Sequence, residues 1–295
     1  MTDARPIGVF DSGLGGLSVL RLLPAALPRE RFVYVADSAR APYGPRPEHE
    51  IRRFGEEIAD LLLARLQCRA LVIACNTATA AAADHLRARY PDTPIVGMEP
   101  AVKPAAAATR TGVVGVMATA GTIGSERYAQ LLSAHGRDVT VVEDPCSGLV
   151  GLIEAGATGE GSGLPAKLRS ILAPMLARGA DAIVLGCTHY PLVRREIEAI
   201  VGPDVAVVDP APSVVRETAR RVREEAPALL ALPGALGAPA FPVGAAPRLP
   251  HAFLTSGDVS AFRQNVTRIA PQLAAGARFG VLAEAWEVVY GEPPR

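Results

Sequence analysis

The chain has 295 residues, enough for about two domains, and 49% hydrophobic content supplies a sizeable core. Thirty basic residues balance thirty acidic ones, so nothing marks a surface for nucleic acid or anionic membrane. Four cysteines without C-x2-C spacing are too few for a disulfide scaffold and wrongly spaced for a zinc ribbon.

Taken in chain order, short apolar runs alternate with amphipathic stretches. Ile7–Phe10, Phe32–Val35, Leu71–Ala74 and Ile95–Met98 read as strands, bounded by Gly, Asp or Pro. Glu50 to Arg65 reads as a helix, with Ile51, Phe54, Ile58, Leu61, Leu62 and Leu66 at helical spacing. Continuous apolar strands joined by helices predict a parallel sheet covered on both faces.

The pattern then repeats. Gly8-Val-Phe-Asp-Ser-Gly13 is echoed by Gly115-Val-Met-Ala-Thr-Ala120, and Leu71-Val-Ile-Ala-Cys-Asn-Thr77 by Ile183-Val-Leu-Gly-Cys-Thr-His189. Asp37 and Asp144 each lie 26 residues beyond Asp11 and Ala118, and Val96-Gly-Met-Glu-Pro-Ala101 matches Val207-Val-Asp-Pro-Ala211. Four landmarks in one order predict two similar α/β domains, residues 1–98 with 210–295 and residues 99–209. In the tail, Ser213 to Glu225 reads as a charged helix and Pro227 to Pro250, with six prolines and three glycines, as a surface loop. His251–Ser256 is expected to be the last strand, completing one sheet, and Val259 to Ala270 a helix.

Met1 to Ile7 lacks a basic-then-apolar pattern, and no apolar run reaches about 18 residues without charge or proline. Neither export nor a membrane span is expected; the reading is a cytoplasmic protein with reduced cysteines.

Parallel sheets bind ligands beyond the carboxyl ends of their strands. Asp11-Ser12-Gly13, Asp37, Cys75-Asn76-Thr77, Thr119, Cys187-Thr188-His189 and Asp209 all fall there. A lone cysteine at a strand end is ordinarily a small buried hydrophobe, and Cys68 and Cys146 keep that reading. Cys75 and Cys187 occupy the same place in both repeats, each followed by hydrogen-bonding residues. Two thiols across a cleft suit removal of a proton from one face of a carbon and its return to the other. Alone, His189 reads equally as a structural histidine, Asp11 as a turn residue and Glu154 as a carboxylate at a helix rim. Gly13-Leu-Gly-Gly-Leu-Ser18 imitates a dinucleotide fingerprint, but Ser18 replaces its last glycine; a turn offering amides to a carboxylate or phosphate is the alternative.

Asp11-Ser-Gly-Leu-Gly-Gly-Leu17, Tyr34-Val-Ala-Asp37 with Pro42-Tyr43-Gly44, Ala74-Cys-Asn-Thr-Ala78, Ala118-Thr-Ala-Gly-Thr122, Gly186-Cys-Thr-His-Tyr-Pro-Leu192 and Phe253-Leu-Thr-Ser-Gly-Asp258 together resemble the signature segments of the glutamate racemase family. The resemblance implies two flavodoxin-like α/β domains related by a pseudo-twofold, with the active site between them. It implies interconversion of L- and D-glutamate for peptidoglycan, with no cofactor and no metal, in a homodimer. Cys75 and Cys187 would be the acid/base pair, Asp11 assisting the first, His189 and Glu154 the second. Substrate contacts would come from Ser12, Asp37, Tyr43, Gly44, Asn76, Thr77, Thr119, Thr122 and Thr188. Pyridoxal would require a lysine, and neither Lys103 nor Lys167 lies in a matching segment. The alternatives are a racemase of the same superfamily acting on aspartate or hydantoins, and a two-domain amino-acid receptor without catalysis. Pro227 to Pro250 is longer than the family's connection, and Ser147 to Ile153 is less bulky.

Overall fold

The computed structural model describes residues 5–157, 159, 161–224 and 251–290. The expected Pro-rich loop, 227–250, lies outside the described residues.

Strands β1 (Ile7–Asp11), β2 (Phe32–Ala36), β3 (Ala70–Ile73) and β4 (Ile95–Val96) belong to a six-stranded parallel sheet, which β9 (Ala252–Thr255) and β10 (Arg278–Val281) extend in the order β10-β9-β2-β1-β3-β4. Strands β5 (Val113–Ala118), β6 (Thr140–Asp144), β7 (Ala182–Gly186) and β8 (Ala206–Val208) form a four-stranded parallel sheet ordered β6-β5-β7-β8. Within each set the second strand flanks the first and the third lies on its other side, so the sequence repeat is a repeat of topology. The chain crosses to the second sheet after β4 and returns after β8.

Both faces of the first sheet are covered, as its continuous apolar strands require. Ile7, Val9, Tyr34, Val72 and Phe253 enter one core, and Phe10, Val33, Val35, Leu71, Ile73 and Leu254 enter the other. Each large apolar side chain buried in these two layers contributes about 1.5–3 kcal/mol. The second sheet is sandwiched likewise, with Ile183 and Leu185 on one face and Val114, Val116 and Val184 on the other.

Three details depart from the sequence expectations. The helix expected to run to Arg65 is α-helical over Glu48–Ala59 and π-helical over Asp60–Arg65, where Leu66 N–H reaches back to Leu61 O. β4 stops at Val96 because the Met98 amide donates to Thr79 Oγ1 at 2.9 Å and pulls the chain off the sheet. The strand after Ala252 is not the last: Arg278–Val281 adds outside it, Phe279 stacking on Phe253 at 5.1 Å. Four residues containing a glycine carry too little apolar pattern to announce a strand. The helix Val259–Ile269 begins where expected, Asp258 accepting the Ala261 amide at 2.6 Å as its N-cap. No described helix is long and apolar enough to cross a membrane.

Candidate active site

In each sheet the first strand's connection leads to one neighbour and the third strand's to the other side, which opens a crevice between their carboxyl ends. In the first sheet that crevice lies between Asp11 and Cys75. In the second it lies between Thr119 and Cys187, and the two crevices face one another.

Cys75 follows β3 and is the N-cap of the 14-residue helix Asn76–Arg89. Its sulfur accepts the Ala78 amide at 3.4 Å and lies 3.9 Å from Ser12 Oγ. Burial, then the nearby Asp11 carboxylate, pushes this thiol well above its ordinary range, although the Ala78 amide opposes the rise. Asp11, fully buried at the end of β1, has one oxygen held by the amides of Gly13 (3.2 Å) and Gly16 (2.8 Å). Its other oxygen, Oδ1, is buried without a hydrogen-bond partner. Burial raises the Asp11 pKa against the opposing pull of His189 and the two amides.

The glycine-rich turn has a steric reason. A Cβ on Gly15 would lie 2.4 Å from Thr188 Oγ1 and 2.5 Å from His189 Nδ1, and one on Gly13 would lie 2.3 Å from Glu154 Oε1. Side chains of the second half therefore fill the space a pyrophosphate would need. The amides of the turn serve carboxylates instead: Gly13 and Gly16 hold Asp11, and Leu14 N–H donates to Glu154 Oε1 at 3.2 Å.

Cys187 follows β7, 7% exposed. His189 Nδ1 lies 3.7 Å from its sulfur, and the ring's Nε2 lies 2.8 Å from Glu154 Oε1. Burial works to lower the imidazole, but the hydrogen bonds to Cys187 and Glu154 win and hold its pKa well above the ordinary value. Glu154 is pushed the other way: burial tends to raise it, and the His189 contact brings it below its usual range. An imidazolium in this position has an N–H for the Glu154 carboxylate and another for the Cys187 sulfur. Glu154 sits on the six-residue helix Leu149–Glu154 and is 31% exposed, its outer side opening on a cavity of about 220 Å³.

The remaining candidates line the cleft between these groups. Thr77 Oγ1 lies 2.9 Å from Thr119 Oγ1, which lies 3.0 Å from Thr122 Oγ1, so hydroxyls from both halves meet. Gly44 O accepts the Gly121 amide at 3.1 Å across the same seam. Ser12, Asn76 and Thr188 are buried, and both polar atoms of the Asn76 side chain lack partners. Asp37 is placed behind the wall: its fully buried carboxylate takes hydrogen bonds from Arg40 Nε (2.6 Å), Ser256 Oγ (2.8 Å) and Tyr43. It holds the loop bearing Tyr43 and Gly44, with Ala41-Pro42 cis within that loop. Asp209, at the second crossing, has its carboxyl raised by burial and caps the Ala211 amide at 2.9 Å. Among the described residues no group of three His, Cys, Asp or Glu side chains converges as a metal site.

Two residues of this wall were not singled out in the sequence. Ser256 had a signal in Thr255-Ser-Gly-Asp258, which reads as a helix-start turn and hides its bond to Asp37. Tyr34 reads as a strand residue, yet its hydroxyl donates to Gly13 O at 2.8 Å and anchors the turn beneath Asp11.

Residues 7–218 match the family described as Asp/Glu/Hydantoin racemase. The chain is 50% identical over 245 residues to the glutamate racemase of Pseudomonas paraeruginosa, covering 83% of this chain and 91% of that one. Among solved structures it resembles Escherichia coli glutamate racemase in complex with L-glutamate and the activator UDP-MurNAc-ala, with a TM-score of 0.76 and 28% identity over 94% of this chain and 97% of the other. It also resembles the Francisella tularensis glutamate racemase in complex with D-glutamate, with a TM-score of 0.74 and 28% identity over 92% and 95% of the two chains. Two topologically matched sheets, each ending in a cysteine beside its own polar neighbours, agree with these likenesses: the chain belongs to the Asp/Glu/Hydantoin racemase family.

Proposed function

We propose that the chain interconverts L- and D-glutamate by a two-thiol proton transfer at Cα, supplying D-glutamate for peptidoglycan. The observation that carries this reading is the matched placement of Cys75 and Cys187 beyond the third strand of each sheet, each with separate groups to manage its proton.

One sulfur, as thiolate, removes the α-proton from one face while the opposite thiol delivers a proton to the other. The configuration inverts and the sulfurs exchange charge states. Catalysis in reverse starts from the exchanged state. His189, held protonated between Cys187 and Glu154, favours the anion at Cys187; the helix N-terminus and the Ala78 amide favour it at Cys75. Asp11, whose Oδ1 is unpartnered, would exchange a proton on the Cys75 side. An α-proton is a very weak acid, so donors must meet charge as it develops on the α-carboxylate. Ser12, Asn76 and Thr188 would take the amino-acid head. Thr77, Thr119, Thr122 and the Tyr43-Gly44 backbone would take the distal carboxylate. Asp37 would act through Tyr43 and the loop, not by contact. No metal or pyridoxal enters this scheme.

The same reading places the protein in the cytoplasm as a homodimer, with residues 1–98 and 210–295 as one domain and 99–209 as the other. Its test is incubation with L-glutamate in D2O. D-Glutamate carrying deuterium at Cα is the expected product, and the absence of both product and exchange from either enantiomer rejects the reading. Profiling with aspartate and hydantoins fixes the substrate within the family.

A further inference from the structure

Glu154 stands where its own helix does least to hold it. It is the last residue of the helix Leu149–Glu154, whose C-terminal end disfavours a carboxylate, and its outer side opens on the cavity of about 220 Å³. What fixes the carboxylate comes from elsewhere. His189 Nε2 at 2.8 Å and the Leu14 amide at 3.2 Å both donate to the same oxygen, Oε1. His189 belongs to the turn after β7, whereas Leu14 lies 140 residues before Glu154, in the turn after β1.

The turn after β1 is shaped to this carboxylate and this ring. The three atoms nearest a Cβ on Gly13 would all belong to the Glu154 carboxyl group, with Oε1 at 2.3 Å, and a Cβ on Gly15 would lie 2.5 Å from His189 Nδ1. Gly13 does not have a positive φ, so its lack of a side chain answers to that neighbour and not to the backbone. The two glycines flank Leu14, whose amide is the donor. Three consecutive residues thus leave room for both members of the clamp on Cys187 and supply one of its hydrogen bonds. An N–H given to a carboxylate stabilises its charged form, and that charge holds the imidazole ring 3.7 Å from the Cys187 sulfur.

We propose that the turn Gly13-Leu14-Gly15 is a positioning element for Cys187: it holds Glu154 against His189, so that the sulfur of one half is tuned by the backbone of the other. The proposal rests on the two-thiol reading of Cys187. Gly13 is two residues from Asp11, on the Cys75 side, yet a side chain there acts on Cys187. A methyl at position 13 drives the Glu154 carboxylate toward the cavity, the imidazolium loses its anion, and the Cys187 thiolate loses its cation. Because the turn and the clamp come from different halves, the clamp is complete only while the halves are in contact.

The test is alkylation by iodoacetamide of the folded protein at neutral pH without substrate, with the Cys75 and Cys187 peptides quantified separately by mass spectrometry. Wild type is compared with Gly13→Ala, Glu154→Ala and the double variant. Gly13→Ala is expected to slow Cys187 about three- to tenfold and leave Cys75 within about twofold. In the Glu154→Ala background the added methyl meets no carboxylate, so Gly13→Ala should change Cys187 there by less than about twofold. That pattern supports the proposal. An unchanged or faster Cys187 in Gly13→Ala, slowing of both cysteines alike, or a larger change in the double variant overturns it; the last two are what a merely loosened turn would give. Should Gly13→Ala fail to fold, leucic acid introduced at position 14, which replaces the donor N–H by an ester oxygen, must slow Cys187 selectively; no selective slowing overturns the proposal. Because alkylation needs no turnover, it judges the turn even if the D2O experiment finds no racemisation. In a racemising protein, Gly13→Ala should also enlarge the primary deuterium isotope effect for the same glutamate enantiomer as His189→Asn, and enlargement for the enantiomer sensitive to Asp11→Asn overturns the assignment.

Discussion

The two halves of the cleft share strand order and cysteine placement but stabilise a sulfur anion differently. At Cys75 the means are mainly backbone: a long helix starts on the residue, the Ala78 amide points at the sulfur, Ser12 Oγ lies 3.9 Å from it, and Asp11 waits behind with an oxygen free. At Cys187 no α-helix begins at the cysteine, and the means are side chains: His189, 3.7 Å from the sulfur, is clamped by Glu154. A repeated architecture has kept the position of the reacting atom and let its electrostatics diverge. A racemase tolerates this because the two sulfurs need matched function, not matched surroundings.

The largest expected effects test the part the halves share. Cys75→Ala and Cys187→Ala each remove a proton-transfer group, so kcat/KM for glutamate should fall by at least about 10³-fold in both variants. Circular dichroism of the glutamate pool follows it. If either variant racemises at near wild-type rate, the halves are not chemical equivalents and the comparison collapses.

Asp11→Asn and His189→Asn test the part that differs, at about 10- to 100-fold in rate. Enantiomers have equal free energy, so kcat/KM must fall alike in both directions, and rate alone cannot tell the halves apart. Primary isotope effects with α-deuterated glutamate can. Asp11→Asn should enlarge the effect for the enantiomer whose proton Cys75 removes, and His189→Asn for the other. Enlargement on the same enantiomer would place both residues on one sulfur.

The repeat and the strand-end cysteines were legible in sequence because both are periodic: apolar runs recur, and polar residues interrupt them at the same place. The parallel, two-sided character of the sheets followed from the same signal. What stayed hidden depends on contacts between distant segments. The turn Gly13–Gly16 looks like a phosphate loop until His189, Thr188 and Glu154 are seen to fill it. The bonds that Asp37 accepts from Arg40, Tyr43 and Ser256 come partly from a segment more than 200 residues away, which a strand-end position does not announce. Cys146 looks like Cys68, whose thiol burial pushes up to about 12 in an apolar layer, until its left-handed backbone and its bonds to Asp144 are seen.

Gly15→Ala sharpens the view of the seam between the halves. The added methyl would overlap the side chains of Thr188 and His189, which must shift to admit it. A cost of about 1–3 kcal/mol in stability is expected, with KM raised more than kcat is lowered. Urea unfolding and steady-state kinetics measure the two. An unchanged KM would mean that the cleft does not depend on this close approach.

The smallest effect is one of pH, and it isolates the clamp found only in the second half. The His189 pKa is raised in the folded protein, so the stability it contributes is complete below its ordinary 6.5 and is lost as pH rises through the folded value. That of Glu154 is lowered, so its share is complete above its ordinary 4.5 and is lost as pH falls through the folded value. Wild type should therefore exceed Glu154→Gln in stability most between pH 4.5 and 6.5, with the gap closing on both sides. Because one side of Glu154 meets solvent, about 1–2 kcal/mol is expected, less than for a fully buried pair. On the alkaline side the closing should set in above 6.5, since Cys187 and Asp11 continue to favour the imidazolium in the variant. Thermal unfolding of the two proteins across this range reads the gap directly. A gap that is flat with pH would mean that the bond carries no charge, and the second half would then hold its sulfur by neutral hydrogen bonds, much as the first does.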